Sequence, residues 1–415
     1  MKLAVFVDQF PVRSQTFVLN QVTGLIDLGV DITILSLGAG DKAIFNDDKL
    51  KQYNLAQRTV YLLDRGSITQ SRLLRFVYRS FSVLTGILIN NNRWSVLKAL
   101  NVSQFGQQAK SLLLATIVAR LSLALKFDVI VAHFGFNGVT ANQLRELGVL
   151  QGKIATIFHG HDISSVQALA QRNKSYQALF QQTELMLPIS ELWKKKLIEL
   201  GCPDTKIIVH RMGVDLASFQ YNENLLNQER ESLKIFTVAR FAEKKGLKYA
   251  IKAMALLKSN TDIDFHYTLA GFGELADELQ QLVIELNLSK EVSFIGEINS
   301  EQVKSYMQHA DVFLQPSVTA KNGDMEGVPV TIMEAMAMGT VVVSTFHSGI
   351  PELITHNKHG LLANERDEVA IAQHLESIAL DKEHAQDLAV NARNRIEQIG
   401  NVDQLNKDLI KLLKK

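Results

Sequence analysis

The segment Pro316–Leu353 decides the fold of the C-terminal half, and it reads PSVTAKNGDMEGVPVTIMEAMAMGTVVVSTFHSGIPEL. It follows the apolar run Val312–Gln315, which is typical of a buried strand, and it stays loop-like as far as Pro329. Pro is well tolerated in the first turn of a helix, because the N–H that it lacks would be unpaired there anyway. The segment therefore predicts a helix over Pro329–Met338 that ends at Gly339, followed by another buried strand.

The loop before this helix carries groups that suit both phosphates and hydroxyls. Gly327 stands where the backbone enters the helix, and free N–H groups at a helix N-terminus bind phosphate. Glu326 lies in the loop and Glu334 lies about a turn and a half into the helix, so both carboxylates could accept hydrogen bonds from hydroxyls. The alternative is that Glu326 only interacts with the helix dipole and that Glu334 is a solvated helix residue.

Two cations follow the first predicted strand of the C-terminal half, in the segment Val238–Gly246 (VARFAEKKG). Arg240 and Lys245 leave the strand end and approach the next helix, where a diphosphate needs compensating charge. Lys244 is the rival for the lysine role, and a solvated loop with charges beside a helix is the plainer alternative.

A glycine turn after another strand, Leu269–Leu275 (LAGFGEL), contains Gly271 and faces the same predicted sheet edge. Backbone N–H groups, cations and carboxylates at a common edge together indicate a sugar nucleotide as the ligand.

Strand-length apolar runs alternate with helix-length amphipathic stretches over most of the 415 residues. Runs that are apolar throughout predict parallel strands covered by helices on both faces. The fold class is therefore α/β, with two doubly wound domains that bind a ligand in the crevice between their sheets. The predicted strands are Leu3–Val7, Ile32–Leu37, Val129–Ala132, Ile154–Phe158, Leu185–Leu187, Ile207–Val209, Ile235–Ala239, Phe265–Ala270, Val292–Ile295, Val312–Gln315 and Val341–Thr345.

The domain boundaries follow from a polar stretch that breaks this alternation. We predict a first domain over residues 1–215 with a helical insertion at about 65–127, and a linker over 216–232. A second domain over 233–395 and a C-terminal helix over 396–415, which could pack back on the first domain, complete the chain.

Composition excludes several other classes of protein. The 44 Lys and Arg against 43 Asp and Glu give no overall reason to expect nucleic-acid binding. A single cysteine, Cys202, excludes a disulfide framework and a multi-cysteine zinc site. The chain has no uncharged apolar stretch of 18 residues and no signal-peptide apolar region at its start, so we expect a cytoplasmic protein.

Three histidines follow predicted strands of the N-terminal half, and such positions face the crevice. His133 ends one strand, while His159 and His161 follow another. Each could donate to a sugar or phosphate oxygen, although a histidine at a strand end is more often a structural hydrogen-bonding group. A zinc site is disfavoured because no cysteine or acid cluster accompanies them.

These motifs resemble retaining glycosyltransferases of family 4, which have the GT-B fold of two Rossmann-like domains facing a central cleft. The resemblance rests on Glu326-x7-Glu334 with Arg240 and Lys245 upstream, and on the wording of Pro316–Leu353. That wording is similar in particular to the bacterial exopolysaccharide branch that includes colanic acid and amylovoran transferases. The resemblance covers essentially the whole chain and is most specific over residues 235–353.

The resemblance implies a role for each matching residue on the donor side. Arg240 and Lys245 would hold the donor diphosphate, Glu334 the ribose hydroxyls, and Glu326 with the Gly327–Val328 backbone the donor hexose. His159 would contact that sugar at the reaction centre. The implied donor-binding residues are Arg240, Lys245, Gly271, Gly296, Glu297, Ile298, Glu326, Gly327, Val328 and Glu334, of which Arg240, Lys245 and Glu326 are also implied in catalysis with His159.

Other motifs of the resemblance concern the acceptor side and the passage between the domains. The first βα turn is similar to the FPxxSETF loop of this branch, with Gln15 in place of Glu. The implied acceptor-side residues are Ser14, Gln15, Thr16, His133 and Asp162. Arg211–Asp215 (RMGVD) matches the domain-crossing motif with a different start. Family members need no metal or other cofactor, and the nucleotide sugar is a substrate.

One segment departs from the overall charge balance: residues 65–127 hold nine Lys or Arg and no Asp or Glu. Arg72, Arg75 and Arg79 lie three and four residues apart, on one face of a predicted helix. A basic amphipathic helix indicates an anionic membrane surface. The alternative is a helical insertion that packs on the sheet and has a solvated basic edge.

The sequence thus predicts a hexosyltransferase that moves a sugar from a nucleotide donor, in particular a UDP-sugar, to a lipid-linked exopolysaccharide oligosaccharide. We expect it on the inner face of the cell membrane, with no nucleic-acid partner and no metal. One alternative is a non-hydrolysing sugar-nucleotide epimerase, for which Asp8 and Glu191 are the candidate acid and base. Another is a catalytically silent sugar-nucleotide-binding protein.

Overall fold

The computed structural model describes residues 1–12, 15–41, 44–45, 47–89, 92–221 and 232–414. Two parallel sheets of six strands each dominate these residues, with orders β3-β2-β1-β4-β5-β6 and β12-β11-β10-β7-β8-β9. The two orders are equivalent, because each sheet starts at a central strand, winds outward to one edge and then returns to the other side. The predicted α/β class with two doubly wound sheets is confirmed.

The first sheet contains β1 to β6 and the second contains β7 to β12. Their bounds are β1 Lys2–Phe10, β2 Asp31–Ala39, β3 Thr59–Tyr61, β4 Leu125–His133, β5 Leu150–Phe158, β6 Leu185–Pro188, β7 Leu233–Val238, β8 Phe265–Ala270, β9 Val292–Gly296, β10 Val312–Leu314, β11 Val341–Thr345 and β12 Leu361–Ala363.

Helices connect and cover these strands. Their bounds are α1 Thr16–Asp27, α2 Asp48–Gln52, α3 Arg72–Ile89, α4 Arg93–Ala99, α5 Val102–Lys110, α6 Leu113–Arg120, α7 Gly135–Glu146, α8 His161–Ser164, α9 Val166–Gln182, α10 Glu191–Glu199, α11 Leu247–Asn260, α12 Ala276–Glu285, α13 Ser300–His309, α14 Val330–Met338, α15 Ile350–Leu353, α16 Glu368–Leu380, α17 Lys382–Ile399 and α18 Val402–Lys414.

Two short edge strands were not predicted from the apolar runs, and one predicted strand does not form. β3 and β12 have only three residues each, which is too short for a pattern to show. The predicted strand Ile207–Val209 is instead irregular, with a single bridge from Ile207 to Met186. The helix predicted over Pro329–Met338 forms, but Pro329 is its N-cap rather than its first residue.

Apolar residues of the strands pack on both faces of each sheet, as the unbroken apolar runs predict. In the first sheet, β1 pairs with β4 in the register Leu3 to Val129, and both strands end at the same edge. That edge carries the loops that follow β1, β4 and β5. The corresponding edge of the second sheet carries the loops after β7, β8 and β10, so parallel pairing gathers the predicted site residues.

The last helix, α18, packs against the first sheet's helix α1 although it follows the second sheet in the chain. Leu409 and Leu413 lie in the core of the first sheet, and Val214 forms a bridge with Asn401. The predicted linker over 216–232 falls mostly on residues outside the described part of the chain. Among the described helices, none is long and apolar enough to cross a membrane.

Candidate active site

The loops after β7 and β10 lie side by side, and this arrangement brings two lysines to a buried glutamate. The N–H of Val318 donates to the carbonyl of Lys244 at 2.9 Å. Gly246 has a φ of +67°, and a β-carbon there would stand 1.8 Å from the carbonyl oxygen of Pro316. Only glycine permits that approach.

Glu326 is the buried glutamate, with 7% of its surface exposed. Its Oε2 forms an ion pair with Lys245 at 3.0 Å, and its Oε1 lies 3.8 Å from Lys244. Burial by itself raises the pKa of a carboxyl, but the two ammonium groups outweigh it and hold the pKa of Glu326 below its ordinary value. Oε1 is buried and has no hydrogen bond among the described residues, so it can accept one from a ligand hydroxyl.

The backbone of Glu326 is held by the loop after β11, which the sequence analysis did not identify. Its N–H donates to Nε2 of His347 at 3.0 Å, and its carbonyl accepts from Ser348 at 2.6 Å. Nδ1 of His347 lies 2.5 Å from Glu365, whose other oxygen accepts from the N–H of Thr319. This chain of hydrogen bonds positions the Glu326 carboxylate. The sequence contains only a weak sign of this arrangement: His347 follows β11 and Glu365 follows its neighbour β12.

The two residues after Glu326 and the loop after β7 carry groups that suit an anion. The N–H groups of Gly327 and Val328 have no partner among the described residues, and they precede the nine-residue helix α14. The side chain of Arg240 is exposed and forms no ion pair with any described residue. A helix N-terminus and a free guanidinium together suit a phosphate group.

Glu334, on α14, has a half-buried carboxyl without a hydrogen bond among the described residues. Burial raises its pKa to about 7, against a smaller opposing effect of Lys304. Its partial burial is greater than the alternative interpretation, a solvated helix residue, would give.

The predicted positions after β8 and β9 also lie at this edge. The N–H of Gly271 donates to the carbonyl of Gly296 at 2.7 Å. A β-carbon on Gly271 would stand 2.0 Å from the carbonyl oxygen of Ala239, so glycine is required for the close packing of these loops. Glu297 is exposed and Ile298 is half-buried.

On the first sheet, His133 and His159 form a neutral buried pair. Nδ1 of His133 lies 3.1 Å from Nε2 of His159, and Nε2 of His133 lies 2.9 Å from Oε1 of Gln21. Because the amide oxygen only accepts, His133 donates from Nε2 and accepts from His159. Burial lowers the pKa of His133 to about 3 and that of His159 well below its ordinary value. Nδ1 of His159 is then left as an acceptor.

Aromatic rings enclose His159. Its ring centroid lies 4.7 Å from that of Phe17 and 4.5 Å from that of Phe134. Phe134 has a φ of +71°, a conformation that a bulky residue rarely adopts and that concentrates at functional sites. The sequence analysis missed both aromatic residues.

The carboxylate of Asp162 accepts hydrogen bonds from the backbone next to these histidines. Its carboxylate accepts from the N–H of Gly135 at 2.7 Å and from the N–H of His159 at 3.1 Å. It has no exposed surface, and burial raises its pKa to about 6 against those two hydrogen bonds. Any effect of Asp162 on an acceptor is therefore exerted through the loops that it holds.

The first βα turn is described in part. Ser14 lies outside the described residues, as does Arg13. Gln15 is the N-cap of α1 without a side-chain capping bond, and Thr16 begins the helix, with both side chains half-buried. Both residues directly precede Phe17, whose ring lies against those of His133 and His159.

The loops of the two sheets meet at the glycine that precedes α14. A β-carbon on Gly327 would stand 2.0 Å from the carbonyl oxygen of His159. Nearby, Nδ1 of His161 lies 2.9 Å from Asp324, which also pairs with Lys244 at 3.2 Å. Burial raises the pKa of Asp324, but His161 and Lys244 outweigh it and lower the value. From the sequence, His161 was one of three candidate hydrogen-bonding histidines, and no contact between it and Asp324 was expected.

A carboxylate of the second sheet also caps a helix of the first. The two oxygens of Glu352 accept from the N–H groups of Glu191 and Leu192, at 2.9 and 3.0 Å, where α10 begins. A negative charge at a helix N-terminus is stabilising. No group of three or more His, Cys, Asp or Glu that could hold a metal is found among the described residues.

The basic segment contains one correction. Arg79 was expected to face a membrane with Arg72 and Arg75, but it is buried and donates to the carbonyl oxygens of Ser67 and Ser111, at 3.0 and 2.7 Å. It is a structural residue that ties α3 to its neighbours. Arg72 is exposed and Arg75 is half-buried. The expectation failed because residues three and four positions apart share one helix face, but their spacing does not show whether neighbouring elements cover that face.

Comparison with known proteins identifies the family of this chain. The family described as "Glycosyl transferases group 1" matches residues 222–395. The putative colanic acid biosynthesis glycosyltransferase WcaL of Escherichia coli is 43% identical over 414 residues, which cover 100% of this chain and 99% of that protein. The amylovoran biosynthesis glycosyltransferase AmsK of Erwinia amylovora is 42% identical over 415 residues, covering 100% of both.

A solved structure supports the fold over the full length. The Anabaena protein HepE, crystallised with UDP, aligns with a TM-score of 0.71 at 18% identity, covering 100% of both chains. Two doubly wound sheets that face each other across such a site define a glycosyltransferase of the GT-B class. The chain belongs to the group 1 glycosyltransferases, in the branch that includes the colanic acid and amylovoran enzymes.

Proposed function

We propose that this exopolysaccharide glycosyltransferase is a retaining, metal-independent enzyme of family 4. It transfers a hexosyl unit from a UDP-sugar to a growing oligosaccharide carried on a lipid diphosphate. The observation that carries the proposal is the buried ion pair of Lys245 and Glu326 beside the unpaired N–H groups of Gly327 and Val328. One site then offers a cation, an acceptor oxygen and a helix N-terminus within a single loop.

The donor diphosphate binds between Arg240, Lys245 and the N-terminus of α14. Each of these three features is positive, and charge-assisted hydrogen bonds to phosphate are among the strongest in proteins. They supply the positive charge that a divalent cation provides in other sugar-nucleotide enzymes, which is why we propose metal independence.

The rest of the donor extends to both sides of the diphosphate. Glu334 accepts from the ribose hydroxyls, and the backbone of 296–298 holds the base. On the other side, Oε1 of Glu326 and Nδ1 of His159 accept from hydroxyls of the hexose. Glu326 Oε1 and His159 Nδ1 are acceptors that have no hydrogen bond with the described residues, and neutral hydroxyls are suitable donors for them.

The reaction exchanges one bond at the anomeric carbon. The bond from C1 to the diphosphate oxygen breaks, and a bond from C1 to the acceptor oxygen forms on the same face of the sugar. The departing diphosphate oxygen takes the proton of the acceptor hydroxyl. Arg240, Lys245 and the N–H groups before α14 stabilise the charge that develops on that oxygen, and such stabilisation is usually the largest contribution to catalysis.

The acceptor approaches from the first sheet, past Gln15, Thr16 and the His133–His159 pair. We place the protein on the cytoplasmic face of the membrane, with the basic segment 65–127 toward anionic lipid. The contact of Gly327 with His159 encloses the reaction centre between the sheets and so limits hydrolysis of the donor by water.

A panel of UDP- and GDP-sugars, incubated with the full chain and with a lipid-diphosphate oligosaccharide, tests the proposal. We expect a UDP-sugar to be consumed and its sugar to appear on the lipid acceptor with the anomeric configuration kept, in the presence of EDTA. Inversion at C1, or a loss of turnover with EDTA, would overturn those parts of the proposal.

The same experiment separates the two alternatives. Sugar that stays on the nucleotide with changed stereochemistry would indicate the epimerase, for which Asp8 and Glu191 are the candidate carboxylates. Tight UDP binding without turnover of any donor would indicate the silent binding protein. Glu191 begins α10 with its backbone bound to Glu352, a placement that favours a structural role.

A further inference from the structure

Helix α3 exposes an apolar stripe along its outer face. Leu73 is 74% exposed, Phe81 67% and Leu88 81%, and the residues between them on the same face are exposed as well. The stripe consists of Leu73, Val77, Phe81, Leu84 and Leu88. At 3.6 residues per turn these positions fall within one side of the helix. Monomeric soluble proteins rarely expose an apolar patch of this length without an interaction partner.

The opposite face of α3 is fixed, so the helix cannot rotate to bury the stripe. Arg79, Val83 and Gly86 are its buried residues. Arg79 donates to two backbone carbonyls, and a β-carbon on Gly86 would stand 2.3 Å from that of Ala119 on α6. The packing therefore presents the apolar stripe to the surroundings as a permanent feature.

The charges around the stripe favour an anionic surface. Residues 65–127 hold nine Lys or Arg and no acid, and Arg72 on α3 and Arg93 on α4 are exposed. Trp94, on the next helix, is 73% exposed. Exposed apolar side chains, basic residues and an aromatic residue at the edge are the combination that binds at a lipid headgroup layer. A second copy paired through the same face would bring these cations together without any acid to neutralise them.

The N-terminal end of α3 lies on the cleft side of the first sheet. Tyr78 packs where a β-carbon on Gly66 would stand, and Ile68 reaches Gly38 near the carboxyl end of β2. The other end, at Gly86, packs on α6, which leads to the amino end of β4. The 18 residues of α3 span about 27 Å, so the helix runs from the cleft edge along the side of the domain.

We propose that α3 lies in the headgroup region of an anionic bilayer, with its apolar stripe among the acyl chains and its N-terminal end beside the acceptor side of the cleft. The proposal rests on the proposed function for the lipid-linked acceptor and deepens it, because it names the element that inserts. The main interaction is the insertion of apolar side chains, and the exposed cations add to it. The sequence prediction differed, because it assigned the contact to Arg72, Arg75 and Arg79. A diphosphate headgroup held in such a bilayer is then presented next to the cleft.

Vesicle binding by the full chain tests this proposal. We expect co-sedimentation with phosphatidylglycerol vesicles, and at least a tenfold weaker partition for the variant Phe81→Ser/Leu84→Ser/Leu88→Ser. The matched control is Ile284→Ser/Leu380→Ser, which removes two exposed apolar residues of the second sheet's helices and should bind like the wild type. UDP affinity by calorimetry should be unchanged in both variants.

Tryptophan fluorescence locates the contact. The chain has two tryptophans, of which Trp94 is exposed and Trp193 is 2% exposed. Acyl chains brominated near the headgroup should quench Trp94, and the quenching should vanish in Trp94→Phe. Absence of wild-type binding to anionic vesicles, undiminished binding of the triple variant, or a dimer that the triple variant abolishes would each overturn the proposal. Vesicle binding without transfer to a lipid-linked acceptor would contradict the proposed function and leave membrane insertion standing.

Discussion

The carbonyl oxygen of His159 lies 2.0 Å from the point where a β-carbon on Gly327 would stand. Two loops from different sheets therefore touch backbone to backbone at the N-terminus of α14. This contact places the buried histidine pair of one sheet next to the carboxylate and cations of the other.

Replacement of Gly327 by alanine should block this approach. The new methyl group would meet backbone, which cannot move aside as a flexible side chain can, so the loops must separate. We expect kcat to fall by about 100-fold, since misplacement of about 1 Å has effects of that size, while each sheet keeps its core. Turnover and small-angle scattering with UDP bound measure the effect. Wild-type turnover by Gly327→Ala would show that the contact is not needed.

The pair of Lys245 and Glu326 should be essential for activity and costly to break. In Lys245→Met the buried Glu326 carboxylate loses its nearest cation, and we expect a loss of about 2–4 kcal/mol in the free energy of unfolding. The double variant Lys245→Met/Glu326→Gln removes the stranded charge and should recover most of that stability without recovering turnover. Urea denaturation and donor consumption measure the two effects. A double variant that stays as unstable as the single one would contradict the pairing.

Nucleotide affinity should depend on pH through Glu334. Its pKa is raised to about 7, so the carboxylate that accepts from ribose hydroxyls is increasingly protonated as the pH falls below 7. We expect UDP to bind more weakly at pH 6 than at pH 8 in the wild type. Glu334→Gln should bind weakly at both values and lose most of this dependence, as calorimetry at the two pH values can show. An unaltered pH profile in the variant would remove the ribose assignment.

Acid should destabilise the fold through the buried histidines. Burial lowers the pKa of His210 to about 4, whereas in the unfolded chain it is near 6.5. Below pH 6.5 the unfolded state therefore takes up the proton first. The stability that neutral His210 contributes is present above that value and is lost as the pH falls toward 4.

The variant His210→Asn isolates this effect. Between pH 7.5 and pH 5 we expect the wild type to lose about 2 kcal/mol more than the variant, by the linkage relation. The matched control is His384→Asn, at a half-buried position in the first turn of α17, which should show the same change of stability with pH as the wild type. Equal pH slopes for wild type and His210→Asn in urea denaturation would refute the prediction.

Much of the fold could be predicted because buried parallel strands leave a local trace. β8 and β11 coincide with the predicted runs Phe265–Ala270 and Val341–Thr345, because apolar residues dominate both strands and helices cover both faces of the sheet. The edge strands β3 and β12 could not be predicted in this way, because three residues are too few to show a pattern. The apolar run Ile207–Val209 was predicted as a strand but is irregular, because apolar residues can pack in a core without pairing with a neighbouring strand.

The candidate site could be predicted where a residue of suitable chemistry lies in the loop after a predicted strand, as Glu326, Lys245 and Gly327 do. His347 and Glu365 could not be predicted, because His347 accepts from the backbone N–H of Glu326 and Glu365 binds His347, through hydrogen bonds that join residues 21 and 18 positions apart. Asp324 and His161 are 163 positions apart and meet only when the sheets face each other.

By itself, the sequence determined the two doubly wound sheets, the residue types at their carboxyl edges and the uneven distribution of charge. These depend on local burial patterns, which each segment carries independently. The tertiary structure alone decided that Arg79 is buried, that the apolar stripe of α3 faces outward, and that His159 meets Gly327. The physical reason is that burial and contact depend on which face of an element is covered by distant parts of the chain, and periodicity does not specify the neighbour.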